Sequence, residues 1–132
     1  MAKDLSLEHR LVSDLFSQPK SAEEWEALQL TDEQVRFYRE NGYLSGVRLL
    51  SDDQVDQLRQ QLDELFDPNH DGNELWYEYH SNESAHPTTV LFHALGAWRI
   101  KSGFHDLLWN PAFTMAASQL LDGPVRFWHD QL

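Results

Sequence analysis

Apolar side chains recur at helical spacing in two long stretches of the chain and alternate, as in a strand, in a third. Val55, Leu58, Leu62, Leu65 and Phe66 fall on one face, with Asp, Gln and Arg on the other, which predicts an amphipathic helix over residues 55–66. Ser51 and Gln54 precede it at capping-box spacing. Phe113, Ala116, Ala117, Leu120 and Leu121 form the second stripe, with Asn110 as N-cap and Pro111 at the first helical position. Gly123 is placed to take the left-handed turn that ends this helix, and Pro124 blocks its continuation. Val125, Phe127 and His129 then alternate with Arg126, Trp128 and Asp130, which predicts a strand over residues 125–132. The two stripes should bury Leu58, Leu62, Phe113 and Leu120 and leave Asp56, Gln60 and Asp63 in water.

The remaining elements are weaker. Leu5, Leu11, Val12, Leu15 and Phe16 make a modest helical stripe, and a capping box at Ser21 and Glu24 predicts a short helix carrying Trp25 and Leu28. Residues 1–30 read as an accessory helical segment, and residues 31–132 as the domain proper. A further box at Thr31 and Gln34 opens a helix with Val35, Phe37 and Tyr38 that ends near Asn41 and Gly42. Residues 43–50 suggest a short strand weakened by Gly46. A loop spans residues 67–72, residues 75–80 read as extended, and residues 81–88 as irregular. Residues 94–101, with Leu95, Trp98 and Arg99, predict a helix, and residues 102–109 another short helical piece. No repeat or low-complexity linker interrupts the chain, so it reads as one domain.

Composition narrows the function classes. A formal charge of −12 over 132 residues argues against a nucleic-acid binder and against docking on an anionic membrane. The chain has no cysteine, which excludes disulfides, thiolate nucleophiles and Cys-type zinc sites. The first residues carry acids and no apolar run, so they do not read as a secretory signal. No apolar stretch approaches the roughly 20 residues of a membrane helix, and the cytoplasm is the expected compartment.

The order of elements is informative. A capped helix ends in Glu40-Asn41-Gly42-Tyr43-Leu44, a segment leads into Leu49-Leu50-Ser51, and the helix over residues 55–66 follows. An apolar helix then ends in Leu120-Leu121-Asp122-Gly123-Pro124 and runs into residues 125–132. From about residue 30 onward this order resembles the phytanoyl-CoA dioxygenase family. The resemblance implies the α+β fold of that family: helices bracing a double-stranded β-helix (jelly roll), with this chain supplying the N-terminal helices and first strands. It implies a non-haem Fe(II)- and 2-oxoglutarate-dependent hydroxylase acting on a small-molecule substrate. Such an iron is held by two His and one carboxylate on one face, leaving room for the keto acid and O₂.

The sequence departs from that family at its metal and keto-acid site. Its iron ligands include a His-x-Asp pair, and none of the seven histidines here has Asp or Glu two positions on. The adjacent pairs His105-Asp106 and His129-Asp130 are expected to point apart. No iron ligand and no catalytic residue is therefore assigned in this chain, and neither Fe(II) nor 2-oxoglutarate is expected to be bound by it alone. The resemblance also implies a lysine for the keto-acid carboxylate, expected after Leu132; if it faced the cavity two positions on, strand alternation would put Trp128, Asp130 and Leu132 on that same, substrate-pocket side. An unpaired strand over residues 125–132 also implies self-association through its edge.

A competing reading comes from Asp67, Asn69, Asp71, Gly72 and Glu78, which satisfy the spacing of a calcium loop. Under it the protein is a non-catalytic acidic module whose loop over residues 67–78 binds calcium or a protein partner. Glu74 occupies the place where such loops carry an apolar residue, and no second loop is present to pair with it. His80, His86 and His93, with Glu78 and Glu83, match no helical or turn-based ligand spacing and read as scattered side chains of a solvated loop. Hydrolase and phosphate-loop signatures are absent.

Overall fold

Capping side chains start the helices. In the computed structural model, which describes residues 2–132, Ser21 Oγ accepts from the Glu24 N–H and opens α1 (Ala22–Glu26). Thr31 and Gln34 exchange side-chain and backbone bonds at the start of α2 (Asp32–Asn41). Ser51 and Gln54 do the same for α3 (Asp52–Leu65). Each box satisfies donors that a helix otherwise leaves open at its N-terminus. Gly42, at φ 79°, supplies the left-handed turn that ends α2. After α4 (Ser102–Leu107), the buried side chain of Asn110 accepts from the Ala112 N–H at 3.0 Å and donates to the Leu49 carbonyl at 3.2 Å. One residue thus caps α5 (Pro111–Leu121) and ties it to the segment before α3.

Two short strands complete an α+β fold. β1 (Glu78–His80) pairs antiparallel with β2 (His93–Leu95), placing Glu78 opposite Leu95, Tyr79 opposite Ala94 and His80 opposite His93. Tyr79 and the fully buried Ala94 turn inward, where Phe92 stacks edge-on against Phe66 and Tyr79 at centroid distances of 4.7 and 5.6 Å. Leu65, Leu58, Phe16, Leu30, Ala97 and Ala116 fill the rest of the core. Asp56, Gln60 and Asp63 are exposed, as their positions on α3 require. No described helix is long and apolar enough to cross a membrane.

Several expected features are corrected. Residues 5–16 form only one 3-10 turn, Leu5–Leu7, because this segment is fixed by bonds to other parts of the chain rather than by its own helix. Residues 43–50 carry no strand, and Gly46 at φ 77° turns the backbone where a ladder would run. The helix expected over residues 94–101 is replaced by β2, a turn at Gly96 (φ 113°) and the 3-10 turn Ala97–Arg99, so pairing with β1 overrides local propensity. Residues 125–132 carry no regular strand: a single reciprocal pair, Leu132 N–H to Ala94 O at 3.0 Å and its converse at 3.2 Å, joins them to β2. Asp122 (φ 54°), not Gly123, takes the left-handed turn after α5.

The predicted core also shifts. Leu58 is buried and Leu62 and Leu120 are half-buried, but Phe113 is 52% exposed. The face of α5 turned inward centres on Ala116 and on Gln119, whose amide bonds both the N–H and the carbonyl of Leu30. Phe113 lies outside that arc.

Arg99 fastens the N-terminal segment to the turn after β2. Its guanidinium bonds Asp4 through Nη2 at 2.5 Å and Nε at 3.3 Å, donates to the Leu75 carbonyl at 2.7 Å, and lies 4.5 Å from the Tyr77 ring centroid. Bonds from Arg99 hold the Asp4 carboxyl down at about 2, against a usual 3.8. A depressed carboxylate adds stability that is complete above its unfolded value and lost as pH falls through the folded one. Asp4→Asn should therefore cost about 1–2 kcal/mol at neutral pH, partial exposure trimming the full linkage value. Urea denaturation at pH 7 should show this loss, and the gap between variant and parent should shrink as pH falls below the unfolded value toward the folded one.

Candidate functional site

The outer face of the hairpin gathers four chemically competent side chains. Strand alternation sends Glu78 and His80 to the same side of β1, and the antiparallel register sets His93 of β2 directly across from His80. Their rings stack at a centroid distance of 5.8 Å with planes 19° apart. Glu83 arrives from the loop between the strands. Its N–H bonds the Leu91 carbonyl at 2.8 Å, and Asn82 Oδ1 beside it accepts from the N–H groups of Ser84 and Leu91. The loop is therefore closed at its base, which holds Glu83 over the strands.

The donor atoms converge. His80 Nε2 lies 2.9 Å from Glu78 Oε1 and 3.9 Å from Glu83 Oε1, and His93 Nδ1 lies 3.0 Å from Glu83 Oε2. One ligand atom each of Glu78, Glu83 and His93 falls within 4.8 Å of the others. The other nitrogen of His93, Nε2, is 3.2 Å from the Gln131 amide. His86 is apart from this group; its Nδ1 accepts from the Thr88 N–H. The reading of these residues as scattered is thus corrected for His80, His93, Glu78 and Glu83, which strand pairing brings together.

A second titratable cluster is buried and serves packing. Asp106 is fully buried: Oδ1 accepts from the Val12 N–H and from His105 Nδ1, and Oδ2 from the N–H and hydroxyl of Ser13. His105 Nε2 donates to the Glu8 carbonyl at 3.2 Å. Burial pushes the Asp106 carboxyl up, but the bonds from Ser13, His105 and Val12 outweigh it and hold the group below its usual range. The expectation that His105 and Asp106 point apart is corrected, since the two meet at 2.9 Å. Serine, histidine and aspartate are all present, yet the aspartate stands between the other two. No bond from His105 to Ser13 exists to activate the hydroxyl, so this is not a nucleophilic triad. Sequence reasoning assigned this group no role, although an aspartate flanked by Phe104, His105, Leu107 and Leu108 is a visible signal that it faces something polar inside.

The other expected site residues fall elsewhere. Asp130 caps the turn after β2, with Oδ1 accepting from the Gly96 N–H at 2.8 Å and Oδ2 from the Trp98 N–H at 2.9 Å. Trp128 is 85% exposed. In the loop over residues 67–78, Asp67 Oδ1 accepts from the Asn69 N–H, and the chain passes through a 3-10 turn, Asn73–Leu75, directly into β1 rather than into an exiting helix. Glu78 is turned toward His80, so Asp67, Asn69, Asp71 and Glu78 do not share a centre. Titration with calcium should accordingly give no saturable heat, and micromolar or tighter binding would overturn this assignment. A cleft of about 470 Å³ flanked by Gln57, Gln61, Glu64 and Lys101 shares no residue with the hairpin cluster. Compared with models of known protein families and with curated proteins, the chain matches none.

Proposed function

We propose that this chain is the N-terminal portion of a cytoplasmic Fe(II)- and 2-oxoglutarate-dependent dioxygenase similar to phytanoyl-CoA dioxygenase, forming the helical brace and first strands of its jelly roll. The observation that carries the reading is uncovered apolar surface. The chain exposes 9155 Å², about a quarter more than the roughly 7,200 Å² expected of a compact 15.4 kDa monomer. Phe113 and Leu121 on α5, and Phe127 and Trp128 after it, are 52%, 64%, 40% and 85% exposed. They lie on the helix and following segment that, in the resemblance, pack against further strands of the β-helix. The reciprocal bond of Leu132 with Ala94 is compatible with the start of such a sheet.

The residues present do not fit the iron site of that family, because no His-x-Asp or His-x-Glu pair exists among them. No catalytic step is therefore assigned to this chain. The test compares the full-length product of the gene with the 132-residue chain in an assay for iron-dependent succinate formation from 2-oxoglutarate. Turnover by the full-length product and none by the chain is expected. Turnover by the chain alone would show that the iron ligands lie among residues read as structural, and no turnover by either would end the oxygenase reading. Sedimentation should also show the isolated chain self-associating through its uncovered face, and a monomer at high concentration would show that face to be tolerated in water.

A further inference from the structure

We propose that the outer face of the β1–β2 hairpin is a binding site for a divalent transition ion of the zinc class, ligated by His80, His93, Glu78 and Glu83. The inference stands on the hairpin alone and does not depend on the oxygenase reading. Zinc bonds to imidazole nitrogen and carboxylate oxygen at about 2.0–2.2 Å, so ligand atoms around a tetrahedral ion sit roughly 3.3–3.5 Å apart. One ligand atom each of Glu78, Glu83 and His93 already lies within 4.8 Å of the others, and His80 Nε2, 2.9 Å from Glu78 Oε1 and 3.9 Å from Glu83 Oε1, would turn inward to join them as the fourth ligand. In the metal-free protein the two closest contacts, His80 with Glu78 and His93 with Glu83, are hydrogen bonds. Each holds a proton that an entering cation displaces.

The donor set selects the ion. Two imidazoles and two carboxylates suit zinc and its neighbours, whereas calcium and magnesium favour six or more oxygens. With both rings neutral as ligands, two carboxylates balance a dication, and the formal charge of −12 on the chain draws cations toward it. Four protein ligands close the coordination shell, which is the mark of a structural site. The ion would lock together β1, β2 and the connecting loop. Gln131 completes the arrangement: with His93 Nδ1 on the metal, the Nε2–H donates to the Gln131 amide oxygen once the amide is flipped, fixing ring and tautomer. The loop base that Glu83 and Asn82 close means little order has to be created on binding.

The test is calorimetric titration of the 132-residue chain with zinc chloride in a non-chelating buffer, with imidazole NMR on the same sample. One saturable equivalent is expected, and the ring signals of His80 and His93 should shift while those of the other histidines stay. His93→Gln and Glu83→Gln should each weaken binding at least tenfold, and His86→Ala, in the same loop but outside the cluster, should leave it unchanged. Both substituted ligands are partly exposed, and circular dichroism would confirm that the variants fold. The NMR result on the unaltered chain decides the matter even where a variant fails to fold. Absence of saturable binding overturns the proposal. So does binding that survives both ligand variants or that is lost in His86→Ala, and so do NMR shifts at histidines other than His80 and His93.

Discussion

Asp106→Ala should lose about 3–5 kcal/mol of stability, a large part of the roughly 5–15 kcal/mol that holds an ordinary domain together. The side chain is fully buried and accepts from Val12, Ser13 and His105, so its removal strands several donors away from water at once. The consequence is not confined to α4. Val12 and Ser13 belong to the stretch over residues 5–16, which has no helix of its own beyond a single turn and is fixed from outside. Urea denaturation measures the loss, and limited proteolysis should find new cleavage near residues 8–20 in the variant. Asp106→Asn keeps the volume but turns an amide donor toward donors, and it should fall between parent and alanine. The acid limb follows from the depressed carboxyl. Its stabilisation is complete above the unfolded value, near 3.9 for Asp, and is lost as pH falls through the lower folded value. Acidification below pH 4 should therefore hurt the parent more than the variants. A midpoint for Asp106→Ala equal to that of the parent would show that the N-terminal segment is held by other contacts.

What was legible in the sequence was what depends on near neighbours. The boxes Thr31/Gln34 and Ser51/Gln54 and the Asn110-Pro111 start are local chemistry, and each opens a helix at the expected residue. What depends on distant partners was not. β2 lies in a stretch with helical periodicity, and only pairing with β1 makes it a strand. The hairpin cluster was missed for the same reason. Glu78 and His80 are two apart, which is strand spacing, but His93 and Glu83 join them only across the sheet and through the loop. Spacing rules built on helices and turns contain no term for a cross-strand neighbour. Asp130 shows the converse: alternation placed it beside Trp128 in a pocket, whereas two backbone N–H groups of the turn after β2 bind both of its oxygens.

Leu65→Ala should cost about 2–5 kcal/mol, and more than either Leu62→Ala or Phe113→Ala. Helical periodicity ranks Leu62 and Phe113 with the core, but the tertiary packing separates the three. Leu65 has no exposed surface, Leu62 is half-buried and Phe113 is 52% exposed. The difference lies in what stands opposite each side chain. Leu65 sits at the last turn of α3, directly before Phe66, which stacks on Phe92, and the Tyr79 hydroxyl reaches back to the Leu65 carbonyl at 3.4 Å. Truncation there opens a cavity beneath the hairpin that surrounding rings, already packed edge to face, cannot close by small rotations. Leu62 gives up less because water already takes part of its surface, and Phe113→Ala should fall near or below 1 kcal/mol for the isolated chain. Urea midpoints for the three variants, compared at a common slope, should therefore order as Leu65, Leu62, Phe113 from most to least damaging. If Phe113→Ala instead proves as costly as Leu65→Ala, the exposed face of α5 is covered in solution, and self-association of the chain supplies the cover.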